Sequence, residues 1–292
     1  MKGFFISTLS LLPLGAAYKL SNVLYIVLYY VVGYRKELVR KNLSNAFPDK
    51  ETIALKRIEQ LFYRHFADVI VESFQIKGWN KGSFNNQIKF SEAAKTILNH
   101  YEGSEQSIIM VLGHYGNWEW AGACMGANTN FDQVIIYKPI KDKAIEQIIN
   151  TNRSKFDTEV VPMNNAFRHL LQKKTTFSVS MNADQSPRGH DVYWTTFLNQ
   201  ETAFFNGPEK FAKKLGLPML YTSIKKERRG SYLIELQELY NGKDELIENQ
   251  LTEAFVRSLE CDIKAVPEYW LWSHNRWKRN RKKPMQEGST ET

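Results

Sequence analysis

The residues best suited to chemistry lie in one stretch, Val111-Leu112-Gly113-His114-Tyr115-Gly116-Asn117-Trp118-Glu119-Trp120. His114 and Glu119 are five residues apart, and on one continuous helix that spacing would turn them about 140° from each other. Gly113 and Gly116 break the run, so a strand end, a turn and a helix start can bring imidazole and carboxylate together. A carboxylate on one ring nitrogen fixes the tautomer and stabilises the imidazolium, which leaves the other nitrogen to take a proton from an alcohol. No Ser or Cys stands beside His114 in the stretch, which favours direct transfer to an acceptor over a covalent enzyme intermediate. The competing reading is a strand-end histidine satisfied by a carbonyl, with Glu119 an ordinary first-turn acid favoured by the helix dipole. The two glycines, the preceding strand and the flanking tryptophans weigh against it.

Such a site needs a strand before it and a helix after it. Ser107 to Leu112 is a short, partly β-branched apolar run and reads as a buried strand. Asn117 can cap a helix starting at Trp118. Around this pair the signals alternate. Strands are expected at 88–90, 133–137, 159–161 and 176–181. Helices are expected from Ser91 to Tyr101, Asp142 to Phe156 and Asn164 to Lys173. The rhythm predicts an α/β fold, a mixed sheet flanked by helices, with ligands beyond the carboxyl ends of its strands, where His114 falls. Further on, a helix over 208–215 opens with Pro208 and stops at Gly216. Leu217 to Leu220 resumes the sheet, 221–226 pairs with 232–239, and 246–263 is a helix.

The N-terminal third has a different character. Residues 4–33 are apolar apart from Lys19 and scattered Ser, Asn and Tyr, with Pro13, Gly15 and Lys19 as interruptions. Neither half reaches the ~20 apolar residues that span a bilayer; together they could span or lie in the interface as a helical hairpin. Arg35, Lys36, Arg40 and Lys41 would hold the next segment on the cytoplasmic side near anionic headgroups. A cleaved signal peptide ending near Gly15-Ala16-Ala17 and a buried core helix are the competing readings. After Pro48, Asp49 can cap a long helix with an apolar face of Leu55, Ile58, Phe62, Phe66, Val69 and Ile70, and His65 beside it reads as a packing histidine. The division expected is an anchor at 1–34, a catalytic domain at 35–278 and a basic, polar tail at 279–292.

The 292 residues are 43% hydrophobic and 13% aromatic, enough for a sizeable core. The net charge of +8 suits a polyanionic partner such as nucleic acid, an anionic membrane, a phosphorylated glycolipid or an acidic carrier protein. The apolar N-terminus argues against nucleic acid. Cys124 and Cys261 fit neither a metal nor a disulfide framework, which favours a reducing compartment. No metal, nucleotide or other cofactor is called for.

Gly113-His114-Tyr115-Gly116-Asn117-Trp118-Glu119 resembles the H-x4-D/E signature of the bacterial lipid A biosynthesis acyltransferases, the lauroyl/myristoyl transferases. Other segments resemble the family's in order. They are Arg40-Lys41-Asn42-Leu43 through Phe47-Pro48, Tyr137-Lys138-Pro139, Arg153 in its helix, Ala183-Asp184-Gln185, Gly207-Pro208, and Pro267-Glu268-Tyr269-Trp270-Leu271-Trp272 through Lys278. Phe204-Phe205-Asn206 departs from the family, where small residues and Thr are usual. The resemblance implies a glycerolipid-acyltransferase-like fold with a membrane-associated N-terminal helical segment. It also implies transfer of a fatty acyl chain from acyl-acyl carrier protein to a hydroxyl of a lipid A precursor, at the cytoplasmic face of the inner membrane. His114 would be the base and Glu119 its orienting acid. Arg153, Lys138, Asp184 and Asn117 would contact substrate, with Arg153 also able to stabilise an oxyanion and Asp184 either positioning the acceptor or orienting a basic group. The acceptor could instead be a lysophospholipid, an aminolipid or another glycolipid, and a non-catalytic membrane-binding protein is the reading from a different class. The interleaved Trp and basic residues near the C-terminus suit a membrane interface, and His274 reads as structural because no acid is placed to orient it.

Overall fold

The computed structural model describes residue 10 and residues 12–189 and 191–281. Helix α1 (Leu14–Ile26) starts directly after Pro13, and Val27–Val31 continues it as a π turn. Lys19 lies on the exposed face and Gly15 in the first turn, so neither interrupts the helix. Helices α2 (Lys36–Ala46) and α3 (Thr52–Gln75) follow; α3 is preceded by Glu51 rather than capped by Asp49. Ala17, Ser21, Tyr25 and Tyr29 recur every four residues and are buried, the single stripe that such spacing creates, and this stripe packs along α3. Two hydrogen bonds fasten it, Tyr18 Oη to Glu72 at 2.7 Å and Ser21 Oγ to Asp68 at 2.6 Å. The other face presents Val23, Ile26, Tyr30, Val31 and Val32 to the outside. Leu14–Val31 is long and apolar enough to cross a membrane, yet one side of it belongs to the body of the protein. Ala17, at the end of the cleavage site considered above, is fully buried. The rest of the apolar run, 4–9 and Leu11, lies outside the described residues.

After α4 (Lys81–Asn85), strands and helices alternate through β1 (Ile88–Phe90), α5 (Glu92–Gly103), β2 (Ile108–Leu112), α6 (Trp118–Asn128), β3 (Asp132–Tyr137), α7 (Lys143–Arg153), β4 (Glu159–Pro162), α8 (Ala166–Gln172) and β5 (Phe177–Asn182). A separate antiparallel hairpin, β6 (Tyr193–Phe197) and β7 (Gln200–Phe204), precedes α9 (Gly207–Leu215), β8 (Met219–Arg228), β9 (Ser231–Tyr240) and α10 (Gln250–Ala265). Seven strands form one sheet in the order β1-β9-β8-β2-β5-β3-β4. All neighbours are parallel except β8 and β9, which makes the sheet mixed.

The centre of this sheet shows why the apolar run before His114 is continuous. β2 is covered on both faces, as strands of parallel sheets usually are. Ile108, Met110 and Leu112 join the core that contains Trp120, Cys124 and Met125 of α6, while Ile109 and Val111 point into the core shared with α10 and α3. The chain leaves β2 toward β3 on one side and leaves β5 toward β8 on the other. The carboxyl ends of β2 and β5 therefore lie where the connections diverge, the position at which open α/β sheets bind ligands.

Candidate active site

The parallel register of β2 and β5 pairs Ile108 with Ser178 and ends at Leu112 with Asn182. Two residues beyond that last pair stand His114 and Asp184, so the sheet itself brings them side by side. Ala183 N–H donates to Leu112 O at 3.1 Å, extending the ladder by one step. His114 Nδ1 lies 2.6 Å from Asp184 Oδ1, and the His114 backbone N–H donates to Asp184 Oδ2 at 2.9 Å. Trp270 Nε1 donates to the same Oδ2 at 2.8 Å. Burial alone would raise the pKa of Asp184, but the imidazole charge and these three hydrogen bonds outweigh it and hold the carboxyl at about 2. The ionised carboxylate is acceptor-only, so Nδ1 carries a proton, and when the ring is neutral the lone pair is on Nε2, pointing away from Asp184. The His114 side chain keeps 17% of its surface exposed.

The turn between strand and helix depends on its glycines. A Cβ on Gly113 would come 2.6 Å from Leu259 Cδ1. Gly116 has φ +62, and a Cβ there would lie 2.9 Å from Ile224 O. Residues 269–271 then run antiparallel to the turn, with Gly116 N–H on Tyr269 O at 3.1 Å and Leu271 N–H on His114 O at 3.0 Å. This is how Trp270 reaches Asp184. Trp270 and Trp272 are both buried, so these two C-terminal tryptophans serve the site rather than a membrane interface. Asn42 Nδ2 donates to Trp272 O at 2.9 Å, tying α2 to the same segment. His274 Nε2 accepts the Ser186 N–H at 3.1 Å, and burial lowers its pKa to about 4, so it is neutral.

Expected roles change at several residues. Glu119 does not hold the imidazole. The start of α6 carries it toward α7, where Arg153 binds it through two bonds, Nε to Oε2 at 2.9 Å and Nη2 to Oε1 at 2.6 Å. Burial works against the Glu119 charge, but Arg153 prevails and lowers its pKa. Burial likewise works against the Arg153 charge, and Glu119 raises its pKa. Arg153 is thus held by a carboxylate through Nε and Nη2. Asp184 is sealed under His114, so of its two expected roles the geometry fits orienting a basic group rather than contacting the acceptor. Asn117 is fully buried, and both ends of its amide are used. Oδ1 caps α6 by accepting Trp120 N–H at 2.9 Å, while Nδ2 donates to Glu72 at 2.8 Å. Lys138, by contrast, is exposed at the end of β3. Burial and the charges of Arg188 and Lys278 lower its pKa, and among the described residues none of these three cations has a carboxylate partner.

Beneath the turn is a sealed polar cluster that the sequence reading passed over. Glu72 on α3 accepts from Tyr18, Asn117 and Tyr232, and its backbone O accepts Trp120 Nε1. His65 donates Nε2–H to Gly116 O at 3.1 Å and receives Lys226 Nζ on Nδ1 at 3.3 Å. The spacing 65, 68, 72 on one apolar helix face was the signal available for it. Among the described residues no group of His, Cys, Asp and Glu is arranged to hold a metal ion.

A family model described as Bacterial lipid A biosynthesis acyltransferase matches residues 3–279. Over 247 residues the chain is 21% identical to the lipid A biosynthesis palmitoleoyltransferase of Escherichia coli (strain K12), covering 84% of this chain and 79% of that protein. The lipid A biosynthesis acyltransferase of Shigella flexneri is similar to it at the same identity and coverage.

Proposed function

This chain belongs to the bacterial lipid A biosynthesis acyltransferase family and is an acyltransferase, and on that premise we propose that it transfers a fatty acyl group from acyl-acyl carrier protein to a hydroxyl of a lipid A precursor, at the cytoplasmic face of the bacterial inner membrane. The observation that carries the mechanism is the His114–Asp184 pair, with Nδ1 fixed on the carboxylate and the opposite nitrogen on the accessible side. His114 Nε2 takes the proton of the acceptor hydroxyl. The oxygen attacks the thioester carbonyl carbon, and the carbonyl π electrons move onto its oxygen. Collapse breaks the C–S bond, and the departing thiolate takes the proton back from the imidazolium. Asp184 keeps the tautomer and offsets the positive charge that develops on the ring.

Arg153 is the cation for the oxyanion. Glu119 holds its fork in place, and Nη1 has no protein hydrogen-bond partner among the described residues. Lys138, Arg188 and Lys278 suit an anionic substrate, either phosphates on the glycolipid acceptor or the phosphopantetheine arm of the carrier. The exposed apolar stripe of α1, with Arg35 and Lys36 following it, supports residence at an anionic bilayer.

The test is acyl transfer in isolated membranes with labelled acyl-acyl carrier protein and a panel of acceptors, comparing wild type with His114→Ala. Labelled product from the lipid A precursor, abolished by the substitution, is expected. Transfer to a different lipid hydroxyl would keep the mechanism and replace the acceptor. Undiminished transfer by His114→Ala would end the general-base reading.

A further inference from the structure

The Nε2 lone pair of His114 is occupied by the protein itself. Gln185 Nε2 lies 3.2 Å from it. Because Asp184 accepts from Nδ1, His114 Nε2 is an acceptor and the Gln185 group facing it must be the amide NH2, not its oxygen. Gln185 is half-buried and follows Asp184 directly. The residue after it, Ser186, is pinned through its N–H to His274, and Arg279 Nη1 donates to Pro187 O at 3.1 Å. The loop is therefore held on both sides of Gln185, by Asp184 before it and by Ser186 and Pro187 after it, and what is left to turn is the glutamine side chain.

From this contact we infer that Gln185 guards the general base against water. An N–H group on the lone pair cannot be deprotonated by imidazole, whereas a water in the same place can. A water activated by His114 would attack the bound thioester as an alcohol does. Its proton would go to Nε2, the new C–O bond would form, the C–S bond would break, and the thiolate would leave with the proton. The products would be a free fatty acid and a thiol, with the acyl group wasted. The acceptor hydroxyl, delivered by a large bound lipid, replaces the amide because it donates its own hydrogen to Nε2. A water must compete for that place with a tethered side chain and has no such binding behind it. On this account Gln185 is a positioning residue that sets the ratio of transfer to hydrolysis. The inference rests on His114 being the base.

The experiment measures thiol release from acyl-acyl carrier protein without acceptor, beside acyl transfer with acceptor. The proteins are wild type, Gln185→Ala, Gln185→Met and each change combined with His114→Ala. Gln185→Met keeps the length and removes the donor, which separates loss of the N–H from opening of space. Both single variants, with unchanged melting temperature, are expected to raise acceptor-independent hydrolysis about tenfold relative to transfer. The combined variants should lose that gain, because the water needs the same base. Hydrolysis unchanged within twofold in both folded single variants, with His114→Ala inactive in transfer, would overturn the role of Gln185 alone. Retained transfer by His114→Ala would overturn the base assignment and this inference with it.

Discussion

Two histidines flank the Gly116–Asn117 turn, each among carboxylates, and their second ring nitrogens meet different kinds of partner. His114 has one nitrogen on Asp184 and the other on the side-chain amide of Gln185. His65 has one nitrogen on a backbone carbonyl and the other on Lys226, and it is buried beneath the turn with Asp68 and Glu72. Burial first, and then the Lys226 charge, push the pKa of His65 well down, so it stays neutral. The difference teaches that an acid near a histidine does not make it a base. A replaceable partner on the second nitrogen and a path to solvent do.

Breaking the two histidines separately should therefore give two different failures. His114→Ala is expected to lower transfer about a thousandfold, within the range for removing a general base, with little change in melting temperature. His65→Ala leaves Gly116 O without its side-chain partner in a closed space and takes the imidazole from Lys226, which keeps Asp68 at 3.3 Å, and should cost about 1–3 kcal/mol of stability. Its remaining folded fraction should stay active. A comparison of kcat per folded molecule with thermal unfolding would show this. Equal losses of kcat for the two variants, at equal stability, would end the distinction.

The carboxylates sharpen it further. Asp184→Asn can still bond to Nδ1, but its amide can donate and favour the wrong tautomer, so a fall in kcat of about 10²- to 10⁴-fold is expected. Glu119→Gln loosens the Arg153 fork and leaves the imidazole tautomer alone; a fall of roughly 10-fold is expected, with lost charge-assisted bonding as the cause. Equal effects would put Glu119 back on the histidine.

That exchange of roles marks the limit of what the sequence discloses. The strand, the glycine turn and the Asn117 cap are local, written in neighbouring residues, and they are legible. So are the Ser91 cap, whose Oγ accepts Ala94 N–H at 3.1 Å, and the Pro208–Gly216 bounds of α9. The partner of His114 is not local. It depends on β2 and β5 being neighbours in register, and a pairing across 70 residues has no local signature. Trp270 reaches Asp184 for the same reason, across 86 residues. The β6–β7 hairpin was hidden differently. Its turn uses Leu198 and Asn199, both at positive φ, where a glycine would have announced it.

Stability against pH separates the upper carboxylate from the lower one. Asp184 is held at about 2 in the folded protein, below its unfolded value near ~3.9. Its contribution of about 2.6 kcal/mol is present above pH ~4 and is lost as the pH falls toward 2. Burial dominates at Glu72 and raises its pKa. Its contribution is present below its unfolded pKa and is lost as pH rises through the folded one. Urea unfolding in detergent from pH 2.5 to 7 should show Asp184→Asn approaching wild type as the pH falls. Glu72→Gln should gain on wild type as the pH rises. Parallel curves for both variants would contradict the assigned charges.

The smallest effect belongs to the rim of the open site, where solvent weakens every charge. Lys138, Arg188 and Lys278 have no carboxylate partner among the described residues, and each is exposed. Attraction between such groups and a phosphate is screened over about 8 Å at physiological salt. Lys138→Gln or Lys278→Gln should accordingly raise the acceptor KM by about threefold at low salt and leave kcat nearly untouched. The double variant should lose most of the salt dependence of KM, which wild type should retain between about 20 and 300 mM salt. A double variant whose KM still climbs with salt as steeply as wild type would place the anion's binding elsewhere, and would leave the His114–Asp184 chemistry unaffected because that pair is shielded from the same ions.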